Sequence, residues 1–204
     1  MKTIIFLICG IVVFQIASSQ ELGISASHLW TDNKELQNPN GFGVYVGKNL
    51  SNYFSLKLSY DYIYNERNYF GTLSSGMDLN PNWESIETFA NAHLSKLSIV
   101  IIPYCSEYIS VGGGVTVSTN YFSVVKTGLQ TQLKSSWYGE QKFGSGYFFQ
   151  VQLFPFQTLP FILNVNASRE FMNRSTIIVT DVEMPYFQTL KVSSIQIGLS
   201  YAFK

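Results

Sequence analysis

Apolar and polar residues alternate one for one along most of this chain, which is the period of a β-strand with two different faces. In the clearest segment, from Phe54 to Tyr64, apolar and aromatic residues share one face, and Lys57 and Asp61 lie on the other. The alternation predicts eight strands. They begin near Leu22, Phe42, Phe54, Phe89, Ile109, Tyr147, Phe161 and Ile195.

The fourth predicted strand, which runs from Phe89 to Pro103, is less regular than the others. Its apolar positions change phase along its length, because even positions carry the apolar residues upstream and odd positions carry them downstream. An inserted residue would restore a common face, so the sequence predicts a β-bulge near Ser95. The two sets concerned are Ala90, Ala92 and Leu94, and Leu97, Ile99 and Ile101.

The predicted connections alternate between short and long. Short turns are expected at 48–52, 104–107 and 155–160, long loops at 65–87, 123–144 and 173–193, and an intermediate connection at 31–40. Short turns at one end and long loops at the other are typical of transmembrane β-barrels. The predicted fold class is therefore all-β, an eight-stranded antiparallel up-and-down transmembrane β-barrel with its long loops outside and its termini in the periplasm.

The first nineteen residues have the pattern of a secretory signal peptide. Lys2 provides a positive start, residues 4–16 are mostly apolar, and Ala17-Ser18-Ser19 supplies small residues for cleavage. We expect residues 1–19 to be removed and residues 20–204 to form a single outer-membrane β-barrel domain. The mature chain would then keep one cysteine, Cys105, which cannot form an internal disulfide.

The composition supports export to a membrane and argues against nucleic-acid-binding and metal-binding proteins. Charged residues make up 13% of the chain and aromatic residues 16%, whereas soluble domains carry about 25% charged residues. The formal net charge is zero, so nothing suggests nucleic-acid binding. Two histidines and one mature cysteine are too few for a metal cluster. We expect no metal and no cofactor.

The chain resembles the small eight-stranded outer-membrane β-barrel family, the porin-family, OmpA-like and OmpW-like barrels of Bacteroidetes-type Gram-negative bacteria. The resemblance rests on Ala17-Ser18-Ser19 before Gln20, on the glycine-rich strand at 108–121, and on the aromatic ending, although Lys204 follows that ending. It implies an integral outer-membrane location, with outer-membrane lipid, lipopolysaccharide and the barrel-assembly machinery as partners. Tyr201 and Phe203 are expected to be the assembly signal, because the last strand must be recognised and must close the sheet.

Four charged residues fall on predicted inward faces and form a candidate lumen charge network. An eight-stranded barrel leaves an interior just wide enough for side chains to fill. We therefore expect the charges to plug the barrel by pairing between strands, with Glu170 available to Lys57 and Lys96 available to Asp61. The alternative is a gated ion path or a ligand site. The four residues are Lys57, Asp61, Lys96 and Glu170.

Aromatic residues concentrate in the predicted long loops. Exposed aromatic side chains can bind a surface ligand, and they also occur where strands pass the membrane interface or extend beyond it. Both interpretations stay open. The loop-exposed aromatic residues are Trp83, Trp137, Tyr138, Tyr186 and Phe187.

His93, Ser95 and Glu107 resemble in spacing the His-x-Ser pair and glutamate of the lipid A 3-O-deacylases, which are also eight-stranded barrels. Their positions do not fit, because that family places its triad on the last two strands, near the outer end. We expect His93 to be a polar residue of the lumen.

The sequence therefore predicts a non-catalytic outer-membrane protein that acts through its surface loops or as a structural component of the membrane. The first alternative is a conduit for small hydrophobic molecules. The second is a lipid A-modifying hydrolase.

Overall fold

The computed structural model describes residues 21–31, 38–73, 83–154, 159–173, 176–179, 182–184 and 189–203, so the proposed signal peptide lies outside the described residues. For residues 122, 137–143, 172–173, 176–179, 182–184 and 189–190 only the backbone is described. The described chain forms ten strands: β1 Glu21–Thr31, β2 Asn40–Asn49, β3 Phe54–Thr72, β4 Trp83–Cys105, β5 Ile109–Gly128, β6 Lys134–Leu153, β7 Phe161–Asn173, β8 Thr176–Val179, β9 Val182–Met184 and β10 Thr189–Ala202.

Eight of these strands close into a ring, in which β1 to β7 follow one another and β10 completes the circle. The first and last strands pair along their length, from Glu21 opposite Ala202 to Thr31 opposite Val192. Every pairing is antiparallel, and β8 and β9 add a short extension beside β6. The predicted eight-stranded antiparallel barrel is therefore confirmed. No helix among the described residues is long and apolar enough to cross a membrane.

The two faces of the sheet differ as the alternation predicts. Outward apolar residues are about half exposed on all sides of the ring, and inward positions are buried and mostly polar. This arrangement, with apolar side chains outside and polar side chains inside, suits a barrel surrounded by lipid. Outward apolar residues include Ile24, Val44, Leu97, Ile99, Val115, Phe149, Ile197 and Leu199.

The bulge predicted near Ser95 is wrong. The pairing of β4 with β5 is continuous from Ile86 to Ile101, and the register shifts only between Ile101 and Tyr104. The even positions of β4 from Glu84 to Val100 face inward, so Ala90, Ala92 and Leu94 are buried. Ala92 and Leu94 belong to an apolar cluster inside the lumen and Ala90 to a second one with Val124, and β4 does not change phase before Ile101.

All three predicted long loops are mostly strand: 65–87 and 123–144 contain the ends of β3 to β6, and 173–193 contains β8, β9 and the start of β10. β3 and β4 remain paired up to Thr72 and Trp83, and β5 and β6 up to Thr127 and Lys134. Four strands thus extend beyond the ends of β1, β2, β7 and β10. We call this end of the barrel the hairpin end. The opposite end, which carries the connections at 50–53 and 106–108 and the ends of β6 and β7 at Leu153 and Phe161, is the short-turn end.

Glycine allows β4 and β5 to approach closely. Gly112 and Gly114 lie on the inward face of β5, and a Cβ at Gly114 would overlap the carbonyl oxygen of Ile99 on β4. Because that oxygen belongs to the backbone, it cannot move aside without breaking the pairing. At Gly47, by contrast, an added Cβ would meet only the flexible side chain of Glu21, at 3.3 Å.

We predict that Gly114→Ala lowers the folded yield and the urea midpoint of the barrel, because the methyl group must separate β4 from β5. Gly47→Ala is the matched control and should have a much smaller effect. The measurement is refolding into detergent, followed by urea unfolding. Equal behaviour of the two variants would contradict the close approach at Gly114.

Candidate functional site

A cluster of three charges lies in the barrel interior. The Nζ of Lys96 on β4 is 2.7 Å from Oε1 of Glu170 on β7 and 3.3 Å from Oδ2 of Asp61 on β3. The two carboxylates are almost fully buried, and the lysine side chain is 14% exposed. Since β4 and β7 are three strands apart in the ring, the bond to Glu170 crosses the lumen.

Amides and a glycine hold this charge cluster in place. Gln196 on β10 donates through Nε2 to Oδ1 of Asp61 at 2.9 Å and to Oγ of Ser25 at 2.8 Å. Asn166 donates through Nδ2 to Oε1 of Gln196 at 3.4 Å. Gly43, beside Asp61 on the paired strand, leaves room for the carboxylate, because a Cβ there would overlap it.

Lys57 has a different partner from the one expected. Among the described residues no carboxylate oxygen lies within 4.0 Å of its Nζ, which sits 3.8 Å from the centre of the Tyr45 ring. A cation over an aromatic face is a favourable contact. Lys96, rather than Lys57, therefore pairs with Glu170.

A second polar layer lies nearer the short-turn end and centres on Asn164 of β7. Its Nδ2 faces the hydroxyl of Tyr45 at 2.6 Å, Oγ of Ser200 at 3.0 Å and Oε1 of Glu21 at 3.2 Å. Its Oδ1 accepts from Nε2 of Gln152 at 2.8 Å. This layer joins the first and last strands to β2, β6 and β7. In the sequence, the asparagine and glutamine residues at inward positions of β6 and β7 are the feature that indicates such a polar layer.

An apolar layer crosses the lumen on the other side of the charges, towards the hairpin end. Each of its side chains is at most 6% exposed, and together they form one cluster. Leu94 is two positions beyond Lys96 on β4, and Ile63 is two positions beyond Asp61 on β3, so this layer lies directly over the charge cluster. Its members are Leu29, Ile63, Ala92, Leu94 and Val192.

His93 does not face the lumen, contrary to the expectation. It lies on the outward face of β4, where its Nδ1 is 2.5 Å from the hydroxyl of Tyr60 and its ring contacts Tyr62 and Tyr121. Ser95 also faces outward.

Glu107 follows the end of β4, on the short-turn side of the barrel. Twelve residues separate His93 from Cys105, or roughly 40 Å at about 3.3 Å per residue. Glu107 therefore cannot orient the imidazole of His93, and these three residues do not assemble into a triad.

The aromatic residues expected in loops lie on strands wherever they are described. Trp83 is the first residue of β4, is 64% exposed, and stacks on Phe70 with ring centres 5.9 Å apart. Trp137 and Tyr138 belong to β6, and only their backbone is described. Tyr186 and Phe187 lie outside the described residues.

The two terminal aromatic residues form a cluster at the short-turn end. The ring of Tyr201 is 5.1 Å from that of Phe203 and 5.7 Å from that of Phe161, and all three are partly exposed on the outside of the barrel. Their role as an assembly signal stays a prediction.

Glu84, which the sequence analysis did not single out, fixes the tip of the β5–β6 hairpin. Its carboxylate accepts hydrogen bonds from the side chain of Thr131 and from the backbone N–H groups of Gln130, at 2.8 Å, and Thr131, at 2.9 Å. Gly128 makes room for it. These bonds, led by the Thr131 hydroxyl, hold the pKa of the carboxyl below its usual range.

Solved structures with a similar fold include outer-membrane proteins. A major outer membrane protein from Thermus thermophilus matches with a TM-score of 0.62 at 13% identity, over 90% of this chain and 99% of that one. Ail, the attachment invasion locus protein of Yersinia pestis, matches with 0.52 at 16% identity, over 90% and 95%. No family model and no curated protein matches the chain. At these identities the likeness shows the fold alone.

We predict that Lys96→Met destabilises the barrel by about 3–5 kcal/mol, because it leaves two buried carboxylates without a counter-charge. Adding Asp61→Asn and Glu170→Gln should recover most of the loss. Lys57→Met, which removes a contact with an aromatic ring, should cost less. Urea unfolding in detergent measures all of these. Strictly additive effects would mean that the charges are independent and hydrated.

We predict that the hairpin tip loosens in acid. Hydrogen bonds to the charged form lower the pKa of Glu84, so their contribution is complete above the value of a free glutamate, about 4.3, and disappears as the pH falls through the lowered value. The amide signals of Gln130 and Thr131 in NMR should titrate with a midpoint below about 4.3. Glu84→Gln should abolish the titration, and a midpoint at or above that of a free glutamate would refute the role of these bonds.

Proposed function

We propose that this chain is an integral outer-membrane barrel that conducts no solutes and carries out no catalysis, and that it works by presenting its four extended strands at the cell surface. The observation that carries the proposal is the filled lumen. Lys96 and its two carboxylates cross the interior, and a packed apolar layer lies directly above them. The extended parts of β3 to β6 then form a surface outside the membrane.

Three observations support the location. The fold is shared with outer-membrane proteins, the outward residues form an apolar band, and the first nineteen residues have the pattern of a signal peptide. In known barrels the short turns face the periplasm and the long connections face the exterior. We place the hairpin end outside on this basis and expect contact with outer-membrane lipid and lipopolysaccharide after insertion by the barrel-assembly machinery.

Within the small barrels, we assign the chain to the porin-family, OmpA-like group of Bacteroidetes type. The glycine-rich strand β5 and the aromatic ending at Tyr201 and Phe203 support this assignment.

The two alternative functions have less support. A conduit for hydrophobic molecules needs an open apolar lumen near the outer end, whereas Leu29, Ile63 and Leu94 are packed together and buried there. A lipid hydrolase needs a carboxylate near its histidine, and Glu107 lies at the other end of β4. Surface presentation requires neither arrangement.

The exposed Phe70–Trp83 pair is the part of the extended strands best suited to bind a surface ligand. Both rings are about 65% exposed, and they stack at the end of the β3–β4 hairpin. Exposed aromatic surface of this kind is typical of binding sites.

The orientation can be tested by labelling intact cells with a membrane-impermeant thiol reagent. In a Cys105→Ser background, Gln130→Cys at the tip of the β5–β6 hairpin should react, and Asn49→Cys at the short-turn end should react only after the cells are opened. Both residues are exposed, so their intrinsic accessibility is matched. Labelling of Asn49→Cys alone on intact cells would reverse the orientation and refute surface presentation by β3 to β6.

A further inference from the structure

Two basic side chains lie on the outward face of the barrel, on neighbouring strands near the hairpin end. Arg169 on β7 and Lys191 on β10 both alternate with buried inward residues, and both are exposed. In the pairing of these strands Arg169 is opposite Ser193, and Lys191 is opposite Phe171. Arg169 and Lys191 are therefore diagonal neighbours, about 7–8 Å apart, and their long side chains can reach one common ligand.

The positions of the two residues along their strands place them at one boundary of the apolar band. Arg169 lies eight residues from Phe161, and Lys191 lies ten residues from Tyr201. Phe161 and Tyr201 belong to the aromatic cluster at the short-turn end. At about 3.3 Å per residue and a strand tilt of about 40°, these separations are roughly 20 Å and 25 Å along the barrel axis. Since the apolar band of such a barrel is about 25 Å tall, Arg169 and Lys191 lie at the level of the lipid headgroups on the hairpin side.

Aromatic rings surround the basic pair. One row of directly paired outward residues crosses β1, β10, β7 and β6, and it consists of Trp30, Ser193, Arg169 and Tyr147. The guanidinium carbon of Arg169 is 5.8 Å from the centre of the Phe171 ring, which is 6.4 Å from the centre of the Tyr147 ring. Phe171 is two positions nearer the hairpin end than Arg169. The contact therefore draws the guanidinium away from the hydrocarbon, as is usual for basic residues at a membrane boundary.

The outward face of this wall carries no acidic residue on β1, β7 or β10 where its side chains are described. Among the described residues, no carboxylate oxygen lies within 4.0 Å of the guanidinium of Arg169. The outward carboxylates of Glu66 and Glu87 lie on β3 and β4, at least three strands from β7 in the ring. An anionic headgroup suits such a surface, because arginine binds phosphate through two parallel hydrogen bonds.

Two adjacent cations favour a phosphate monoester over a phosphodiester. A monoester carries nearly two negative charges and three acceptor oxygens, whereas the phosphodiester of a phospholipid carries one charge. With the hairpin end outside, the lipid at this level includes lipid A, the lipid anchor of lipopolysaccharide, whose phosphates are monoesters. Its acyl chains would lie along the exposed apolar residues nearer the short-turn end, such as Ile195 and Ile197.

We propose that Arg169 and Lys191 form a binding site for a phosphate group of lipid A, bordered by the rings of Trp30, Tyr147 and Phe171. The site holds a lipopolysaccharide molecule against the β7–β10 wall of the barrel. The choice of lipid A as the occupant rests on the orientation given under the proposed function.

The first test measures lipid binding to the purified protein. The mature chain, refolded in a non-ionic detergent, is titrated with lipid A, with lipid A from which both phosphates have been removed, or with phosphatidylglycerol. Native mass spectrometry counts the bound lipid. Lipid A should bind about tenfold more tightly than its dephosphorylated form, because charge-assisted hydrogen bonds are lost, and more tightly than phosphatidylglycerol. Equal binding of the two lipid A forms would overturn the site, and equal binding of phosphatidylglycerol would overturn the assignment to lipid A.

Variants locate the site. Arg169→Gln and Lys191→Gln should each weaken the binding of lipid A, and the double variant should lose the preference for the phosphorylated form. Both positions are exposed, so the substitutions leave the packing of the interior intact. Lys48→Gln, which removes an outward charge of β2 near the short-turn end, is the matched control and should keep the full preference. A preference that persists in the double variant would overturn the assignment to these residues.

Failure of this proposal can be distinguished from failure of the proposed function. The titration in detergent does not depend on which way the barrel faces in cells, so equal binding of the two lipid A forms would leave surface presentation by β3 to β6 unaffected. Labelling of Asn49→Cys alone on intact cells would instead refute the orientation, and with it lipid A as the occupant.

Discussion

The ion pairs of Lys96 organise the interior of this barrel. One ammonium group binds a carboxylate from the neighbouring strand β3 and another from β7, across the lumen. Removing such charges from water is costly, so the surrounding positions must supply polar partners and space. Gln196 donates to Asp61, Gly43 leaves room for the same carboxylate, and Asn166 supports Gln196. A single buried lysine thus explains why these polar residues and this glycine occupy inward positions of five strands, β2, β3, β4, β7 and β10.

The apolar layer above the charges complements this arrangement. Leu29, Ile63, Ala92, Leu94 and Val192 are buried inside a barrel whose outward face is also apolar. Such residues on an inward face contribute packing and exclude water from the side of the ion pairs that faces the hairpin end. Below the charges, the Asn164 layer remains polar, and its members Glu21 and Gln152 also line a wide cavity of about 860 Å³ at the short-turn end. The interior is therefore asymmetric: it is packed with apolar side chains towards the hairpin end and is polar next to a wide cavity at the short-turn end.

Sequence alone predicts the barrel and the inward position of its charges, because a period of two determines which face each side chain occupies. It does not predict which charges meet, since the partner of Lys96 across the lumen depends on the register of three strand pairs. It also misassigned Ala90, Ala92 and Leu94, because apolar residues occur on both faces of this barrel. The sequence around Glu84 does not indicate its role, because its hydrogen-bond partners Gln130 and Thr131 are more than forty residues away. His93 faces outward among tyrosines because β4 has no bulge that would turn it inward.

The central claim is that the lumen is closed by the ion pairs and the apolar layer. Osmotic swelling of liposomes that contain the purified, refolded protein tests it most directly. We expect the rate of swelling in a small sugar such as arabinose to equal that of protein-free liposomes, both for the wild-type chain and for Gly47→Ala. Swelling that increases with the amount of wild-type protein would show an open lumen and contradict the account.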